Sequence, residues 1–449
     1  MMRVLVVALV ALIGVALAPR DGAAMDIQRM TTPIGIDLWY VREPSLPIIA
    51  ANIVFTEAGA ATVPAEKLGI GYFVQVLLDE GAGDLTALQF QRKLDELSLD
   101  MNFDVGTDTF GATLRVLTER REEGFRLFGL ALAKPRFDEE PVQRMRASLN
   151  ADLTNRMDDP DDIINRAFVE RMFPGHGYGR SVRGTPDILE TLTRADLVDF
   201  VQTRFTRDRV VVGAVGDVPI EEMARLIDLA VGGLPATGPK LTIPEVTPVI
   251  AEEVHVIRRE MPQSTVLMGS YGIKREDPDY YAAAVLNATL GGTSFMSRLW
   301  DELREERGLV YSVSTSNAVL QHTAYFVGYA ATNNERVAES IDLMRAEIER
   351  VLRDGITQAE LDAARTYLLG SFALSLDTNA RIARTLVSMQ VSNLGVEYMD
   401  QRAALYGAVT LDDIKRVARR MFLGDANAQG PAKLSIVVIG NPARVGKAG

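Results

Sequence analysis

The sequence contains no cysteine. That excludes a thiol nucleophile, a disulfide framework, a cysteine-ligated metal and a lipid-modified N-terminal cysteine. Histidine is nearly as scarce: His176, His255 and His322 are the three in 449 residues, and no two stand three or four apart. A zinc site built on a local histidine pair needs that spacing to bring both imidazoles to one face, so no single element can compose one. A G-x-S-x-G elbow, a phosphate loop and a dinucleotide fingerprint are also missing. Basic runs are lacking too. The net charge of −12 and pI near 5.0 argue against a nucleic-acid surface, which depends on clustered Lys and Arg to release counterions.

What is present is ample apolar material. With 47% hydrophobic and 24% charged residues, the chain can bury full cores without disulfides, and its length suits two or three domains. Arg3 precedes VLVVALVALIGVALA, residues 4–18, a run of secretory h-region length and short for a membrane span; Gly22-Ala23-Ala24 then supplies small residues before a cleavable bond. Residues 1–24 are therefore expected to form a signal peptide, with retention as an anchor the alternative. Either reading makes this an exported protein.

The rest of the chain repeats itself. LTRADLVDFVQTRFTRDRVVVGAVGDV (192–218) lines up with VTLDDIKRVARRMFLGDANAQGPAKLSIVVIGNP (409–442). In each, Thr193 or Thr410 is followed three residues later by Asp196 or Asp413, which predicts a capping-box helix start. Each helix then ends at Phe205 or Phe422 and gives way to a β-branched strand. The proline-bearing stretch GGLPATGPKLTIPEVTPVIAEE separates the copies, which predicts domains at 27–236 and 251–445 joined by a linker at 237–250. In both halves strands bunch early and helices late, with one closing strand. The fold class predicted is α+β, two tandem domains each with a mostly antiparallel sheet packed with helices.

Few residues suggest chemistry by themselves. His176 in FPGHGYGR reads as a turn residue. MDDPDDI (157–163) lacks the alternation of a calcium loop and reads as a helix break at Pro160 with a new acidic N-terminus. GIGYFVQVLLDEGAG (69–83) sets one amide, Gln75, inside a run that suits either a buried strand or a buried helix.

That stretch, the block LGGTSFMSRLWDELREERGLVYSVSTS (290–316) and the twofold repeat together resemble the M16 metallopeptidases, the insulinase and mitochondrial processing peptidase family. The resemblance covers nearly all of the chain after residue 24 and implies the M16 (LuxS/MPP-like metallohydrolase) fold. Active members carry H-x-x-E-H on a helix, two histidines for zinc and a glutamate as general base. The same frame here holds Tyr72, Gln75 and Val76, and the third zinc ligand would fall at Ala151 or Asp152. Valine cannot ligate, a phenol is a poor ligand and an amide cannot take a proton, so the resemblance implies no metal and no catalytic residue in this chain. The family's substrate-binding Arg and Tyr, seven apart, are matched by Arg304 and Tyr311. Outside that frame the two read as a helix-end arginine and a packing tyrosine.

The resemblance therefore implies a zinc-free subunit of a heterodimeric peptidase in the bacterial periplasm. Zinc would sit in an H-x-x-E-H partner, and an unfolded peptide would bind in extended form, with ANIVFTEAGA (51–60) as the candidate edge strand. The alternative is a catalytically inert peptide-binding or structural pseudo-peptidase, and a homodimer is also open.

Overall fold

The computed structural model describes residues 25–443; the expected signal peptide, residues 1–24, lies outside them. The first half runs β1 (Ile27–Thr31), β2 (Asp37–Arg42), β3 (Ile48–Thr56), α1 (Ile70–Gln75), α2 (Ala87–Leu97), β4 (Asp100–Val105) and β5 (Thr109–Leu117). It continues through α3 (Arg121–Ala133), α4 (Glu139–Asp158), α5 (Pro160–Met172), α6 (Pro186–Thr191), α7 (Arg194–Arg204), β6 (Val210–Gly216) and α8 (Ile220–Val231). No helix or strand lies between α8 and the second half. That half runs β7 (Val254–Arg258), β8 (Gln263–Tyr271), α9 (Tyr280–Asn287), α10 (Arg298–Trp300), β9 (Val310–Leu320) and β10 (Thr323–Asn333). Then come α11 (Val337–Asp354), α12 (Gln358–Leu374), α13 (Asn379–Val391), α14 (Tyr398–Gly407), α15 (Leu411–Leu423) and β11 (Ser435–Gly440).

Each half forms one mixed sheet, in the orders β1-β2-β6-β3-β5-β4 and β7-β11-β8-β10-β9. All pairings are antiparallel except β2 with β6 and β7 with β11, the strand that closes each half. The fold is α+β, as the pattern predicts. The repeat holds in atomic detail: Thr193 with Asp196 and Thr410 with Asp413 make reciprocal capping boxes at the starts of α7 and α15. The acidic stretch 157–163 is the predicted break, with the Asp159 side chain accepting from the Asp161 and Asp162 N–H groups and Pro160 in the first helical turn.

One expectation fails. Residues 51–60 do not form an edge, because β3 is paired with β6 on one side and β5 on the other. The edge strands are β1 and β4 in the first sheet, and β7 and β9 in the second. A β-branched apolar run looks alike at the edge and in the middle of a sheet; only its neighbours decide.

The halves are bound together by exchanged helices. α13, from the second half, packs on β6, β3 and β2, where Ile382, Ala383, Leu386 and Met389 meet Trp39, Val41 and Val215. Gly213 permits this approach, since a Cβ there would stand 2.4 Å from the Ala383 carbonyl oxygen. Asn379 and Gln390 then donate to the Ile48 and Val212 carbonyls at 3.1 and 2.8 Å. Reciprocally, α5 from the first half packs on β8 and β11, and a Cβ on Gly269 would stand 2.7 Å from the Phe168 ring. Central strands are thus covered on both faces, which is why they read as nearly unbroken apolar runs rather than alternating ones.

The hairpin tips of the two sheets also touch. Buried Asp108 accepts from the Tyr178 hydroxyl at 2.7 Å and from the Gln321 N–H at 2.9 Å, while the Tyr178 oxygen accepts from the His322 N–H at 3.1 Å. Burial, and then the neighbouring Asp108 carboxylate, push the Tyr178 pKa upward, so its phenol stays a protonated donor at any working pH.

Candidate functional site

Gln75 is the last residue of α1, a helix of only six residues, so the run 69–83 opens as a helix rather than a strand. Its Oε1 accepts the Val105 N–H at 3.0 Å. Val105 ends edge strand β4 and is paired with Phe110, a pair whose N–H groups face away from each other because the next residue, Gly106, bonds Thr109. The amide therefore caps an edge group that has no strand partner. A glutamate would also accept there; an amide does so without bringing a charge into a half-buried site.

Tyr72, one turn earlier, donates its hydroxyl to Asp152 Oδ2 at 3.3 Å. Of the two candidate positions on α4, Asp152 thus faces this helix, while Ala151 is exposed. The Asp152 carboxylate is already engaged: Arg156 Nε donates to the same oxygen at 2.9 Å and Arg156 also binds Asp162 at 2.9 Å. The Asp162 and Asp152 carboxylates hold the Arg156 pKa above its ordinary value, so the guanidinium is permanently charged. Arg183 lies over the Tyr72 ring, 5.6 Å from its centroid. Val76 packs against the core of the first half.

These donors do not fit zinc. A valine, a phenol, an amide committed to the backbone and one carboxylate neutralised by arginine cannot supply three anionic or imidazole ligands. Among the described residues no three His, Cys, Asp or Glu side chains converge, and the histidines lie apart. His176 bridges the Pro244 carbonyl and the Tyr178 N–H, His322 meets Glu245 at 3.1 Å, and His255 sits in β7.

The second-half positions form a different environment. α10 runs into a wide π-type turn, Asp301–Glu305, that carries Arg304, and Gly308 at φ 58° then turns the chain directly into β9. Gly308 and Leu309 close this turn by donating to the Arg304 and Leu303 carbonyls at 3.0 and 2.8 Å. Tyr311 is consequently the second residue of the edge strand and 71% exposed. The Arg304 guanidinium lies 4.6 Å from the Trp300 ring centroid and 5.2 Å from that of Tyr311. It makes no hydrogen bond or ion pair among the described residues, so its donors are free. Phe295, at φ 67° and 71% exposed, stands edge-on to Trp300 at 4.6 Å.

Arg304 and Tyr311 are therefore brought together, as their spacing suggests, with Arg304 in the last turn of its helical segment and its guanidinium over two aromatic rings. Trp300 and Phe295 escaped sequence reading, although SFMSRLW carries them four and nine residues before Arg304. The Asp152–Arg156 pair also escaped it, despite the i, i+4 spacing that signals such pairs.

Two repeated α+β halves, with a helix whose zinc-frame positions hold tyrosine, glutamine and valine, define a pseudo-peptidase. Residues 191–368 match the family described as Peptidase M16 inactive domain. A protein of Streptomyces coelicolor named as an uncharacterized zinc protease is 27% identical over 399 residues, covering 88% of this chain and 86% of its own length. The non-peptidase homolog YmxG of Helicobacter pylori is 25% identical over 340 residues, covering 76% of this chain and 78% of its own. The crystal structure of a peptidase M16 inactive domain from Pseudomonas fluorescens superposes with a TM-score of 0.85 at 25% identity, covering 94% of this chain and 99% of that one. The chain is thus similar to M16 inactive-domain proteins, with residues 191–368 matching that family, and it takes the fold of the Pseudomonas fluorescens protein over nearly all of its described length.

Proposed function

We propose that this chain is the zinc-free subunit of a two-chain M16 peptidase, exported to the periplasm. It would present Arg304 and Tyr311 to an extended peptide lying in the active site of an H-x-x-E-H partner. The observation that carries the reading is the Arg304 guanidinium, seated on Trp300 and Tyr311 with every donor free. A guanidinium and a phenol keep their protons at neutral pH and suit peptide carbonyls or a developing oxyanion. Zinc belongs to the partner in this scheme, because the donors around Gln75 and Asp152 fit no metal. An extended peptide would be held by backbone pairing at an unpaired sheet edge. With β3 interior, β4 takes over as the candidate edge, its outward backbone at Met101 and Phe103 running up to the Val105 group that Gln75 already occupies.

A second reading, a peptide-binding or structural protein with no part in catalysis, is favoured by the similarity to the Helicobacter pylori relative, which is named a non-peptidase homolog. Activity of the purified chain separates neither, since both expect none. A pull-down of an H-x-x-E-H chain by this one, followed by peptide hydrolysis with and without added zinc, does. Hydrolysis that needs both chains supports the first reading, and a stable complex whose activity is indifferent to this chain supports the second.

A further inference from the structure

Asn52 is an anomaly in β3. Asparagine is depleted in strands, yet this one stands inside the first sheet, 6% exposed, with no side-chain hydrogen bond among the described residues. A buried amide left unpaired costs folding energy. The register defines its surroundings. Asn52 pairs with Gly213 on β6 and with Thr113 on β5, and Thr113 pairs with Asn102 on β4. The four form one row on the face away from the first-half core, into which the flanking Ala51 and Ile53 point. α13 lies over the Gly213 end of that row, and Ala380, Ala383 and Arg384 on it wall a cavity of about 220 Å³ floored by Asn52, Thr113 and Asn102. The neighbouring polar groups are committed to one another. Arg115 binds Asp100 at 3.1 Å, Asn102 Nδ2 donates to the same carboxylate at 3.0 Å, and the Thr113 hydroxyl donates to the Asn102 carbonyl at 3.4 Å. Two polar side chains of the cavity have no partner at all among the described residues: buried Asn52 and exposed Arg384.

An asparagine amide carries a donor and an acceptor side by side. An extended peptide residue satisfies both in one contact, because it turns its own N–H and C=O to the same side. A guanidinium is met by a carboxylate, which accepts two parallel N–H bonds. The cavity is smaller than the roughly 300–1,000 Å³ that encloses a drug-sized ligand, so it suits the end of a chain. An extended residue followed directly by a carboxylate is the C-terminal end of a peptide. We propose that the cavity between α13 and the β3-β5-β4 face captures peptide C-termini, with Asn52 pairing the penultimate residue and Arg384 the terminal carboxylate. Asp100 and Asn102 belong to β4, so the cavity adjoins the edge along which the reading above lays the peptide. The proposal rests on the peptide-binding part of that reading and adds where the peptide ends.

The test is fluorescence anisotropy of the full chain with an unfolded ten-residue peptide labelled at its N-terminus, prepared as the free acid, as the C-terminal amide, and as an amide whose last residue is Asp. The free acid should bind about fivefold tighter than the plain amide, the scale of an exposed ion pair. Arg384→Gln should remove that preference and leave the affinity of the plain amide unchanged. Asn52→Ala should weaken the free acid about tenfold, as should N-methylation of the penultimate residue, and the two together should cost no more than either alone. Ala380→Leu, an exposed position on α13, fills the cavity and should weaken the free acid as much, with the urea midpoints of all three variants at or above that of the wild type. A preference for the free acid that survives Arg384→Gln, or losses from Asn52→Ala and N-methylation that add in full, overturns this proposal and leaves peptide binding standing. An Asp-ended amide that binds as tightly as the free acid makes the site a reader of acidic side chains and overturns the C-terminal assignment. Absence of binding by all the peptides overturns both this proposal and the reading it rests on.

Discussion

The position of the lost general base now has a structural duty that can be measured. Gln75→Ala removes the acceptor of the Val105 N–H bond and the γ-methylene of a half-buried stem. The bond is worth about 1 kcal/mol net, within the usual range of about 0.5–1.5. The half-buried methylene adds about 0.4 kcal/mol at roughly 0.8 per fully buried CH₂. The expected loss is therefore about 1.5 kcal/mol. Gln75→Glu keeps both acceptor and stem and should cost less than about 1 kcal/mol, the difference being the desolvation of one partly solvated carboxylate. Urea unfolding at constant slope gives the free energies, and native-state hydrogen exchange gives a local reading. The Val105 amide should exchange at least about tenfold faster in the alanine variant and near the wild-type rate in the glutamate variant. A loss under about 0.5 kcal/mol with unchanged exchange at Val105 would refute the assignment of Gln75 as the cap of β4.

Other perturbations follow from the same structure. Asp196 is held at about 2, below its usual 3.8, by the hydrogen bond from Lys67 and then by Thr193; Glu222 is held at about 2, below 4.5, by Arg225, with burial opposing and Arg121 adding. Depressed carboxylates stabilise fully above their unfolded pKa and lose that contribution as pH falls through the folded one, so the urea midpoint should be flat from about pH 7 to 5 and fall between about 4.5 and 2. A decline already complete by about pH 5 would contradict this. Glu347, 1% exposed, binds Arg350 through Oε1 at 2.9 Å and leaves Oε2 without a partner, and burial raises its pKa. Its ionised form therefore costs folding energy, and Glu347→Gln should stabilise by about 0.5–1 kcal/mol at pH 7, with the gain shrinking as the wild-type carboxyl takes up its proton at lower pH. Gly213→Leu should cost about 3 kcal/mol by prising α13 off β6, seen as a lower urea midpoint and early proteolysis in the segment before α13.

How much of this was legible depends on whether a feature is local. The capping boxes at Thr193 and Thr410, the break at Pro160 and the Arg304–Gly308–Tyr311 turn are set by residues a few positions apart, and periodicity and turn chemistry expose them. The edge assignment of residues 51–60 was not legible, because β3 becomes interior through β5 and β6, which arrive some 60 and 160 residues later. The helix exchange was hidden for the same reason. Gly213 and Gly269 look like ordinary strand glycines until α13 and α5 lie across them. At the candidate site, Tyr72, Gln75 and Val76 state by their chemistry what the site cannot hold. What replaced the metal site, the bond to Val105 and the Tyr72–Asp152–Arg156 chain, required coordinates. The free donors of Arg304 required them as well, since sequence can place an arginine near a tyrosine but cannot show that no carboxylate claims it.

The account's central claim is that the chain contributes substrate-contacting donors rather than a metal centre. The most direct measurement is kcat/KM for peptide hydrolysis by an H-x-x-E-H partner reconstituted with wild-type chain or with the Arg304→Ala/Tyr311→Phe variant, after equal assembly and equal unfolding midpoints have been verified. The account predicts a loss of about a hundredfold or more, the scale of removing a preorganised oxyanion donor, with zinc content of the complex unchanged. Full activity in the variant complex, or zinc-dependent hydrolysis by this chain alone, would contradict it.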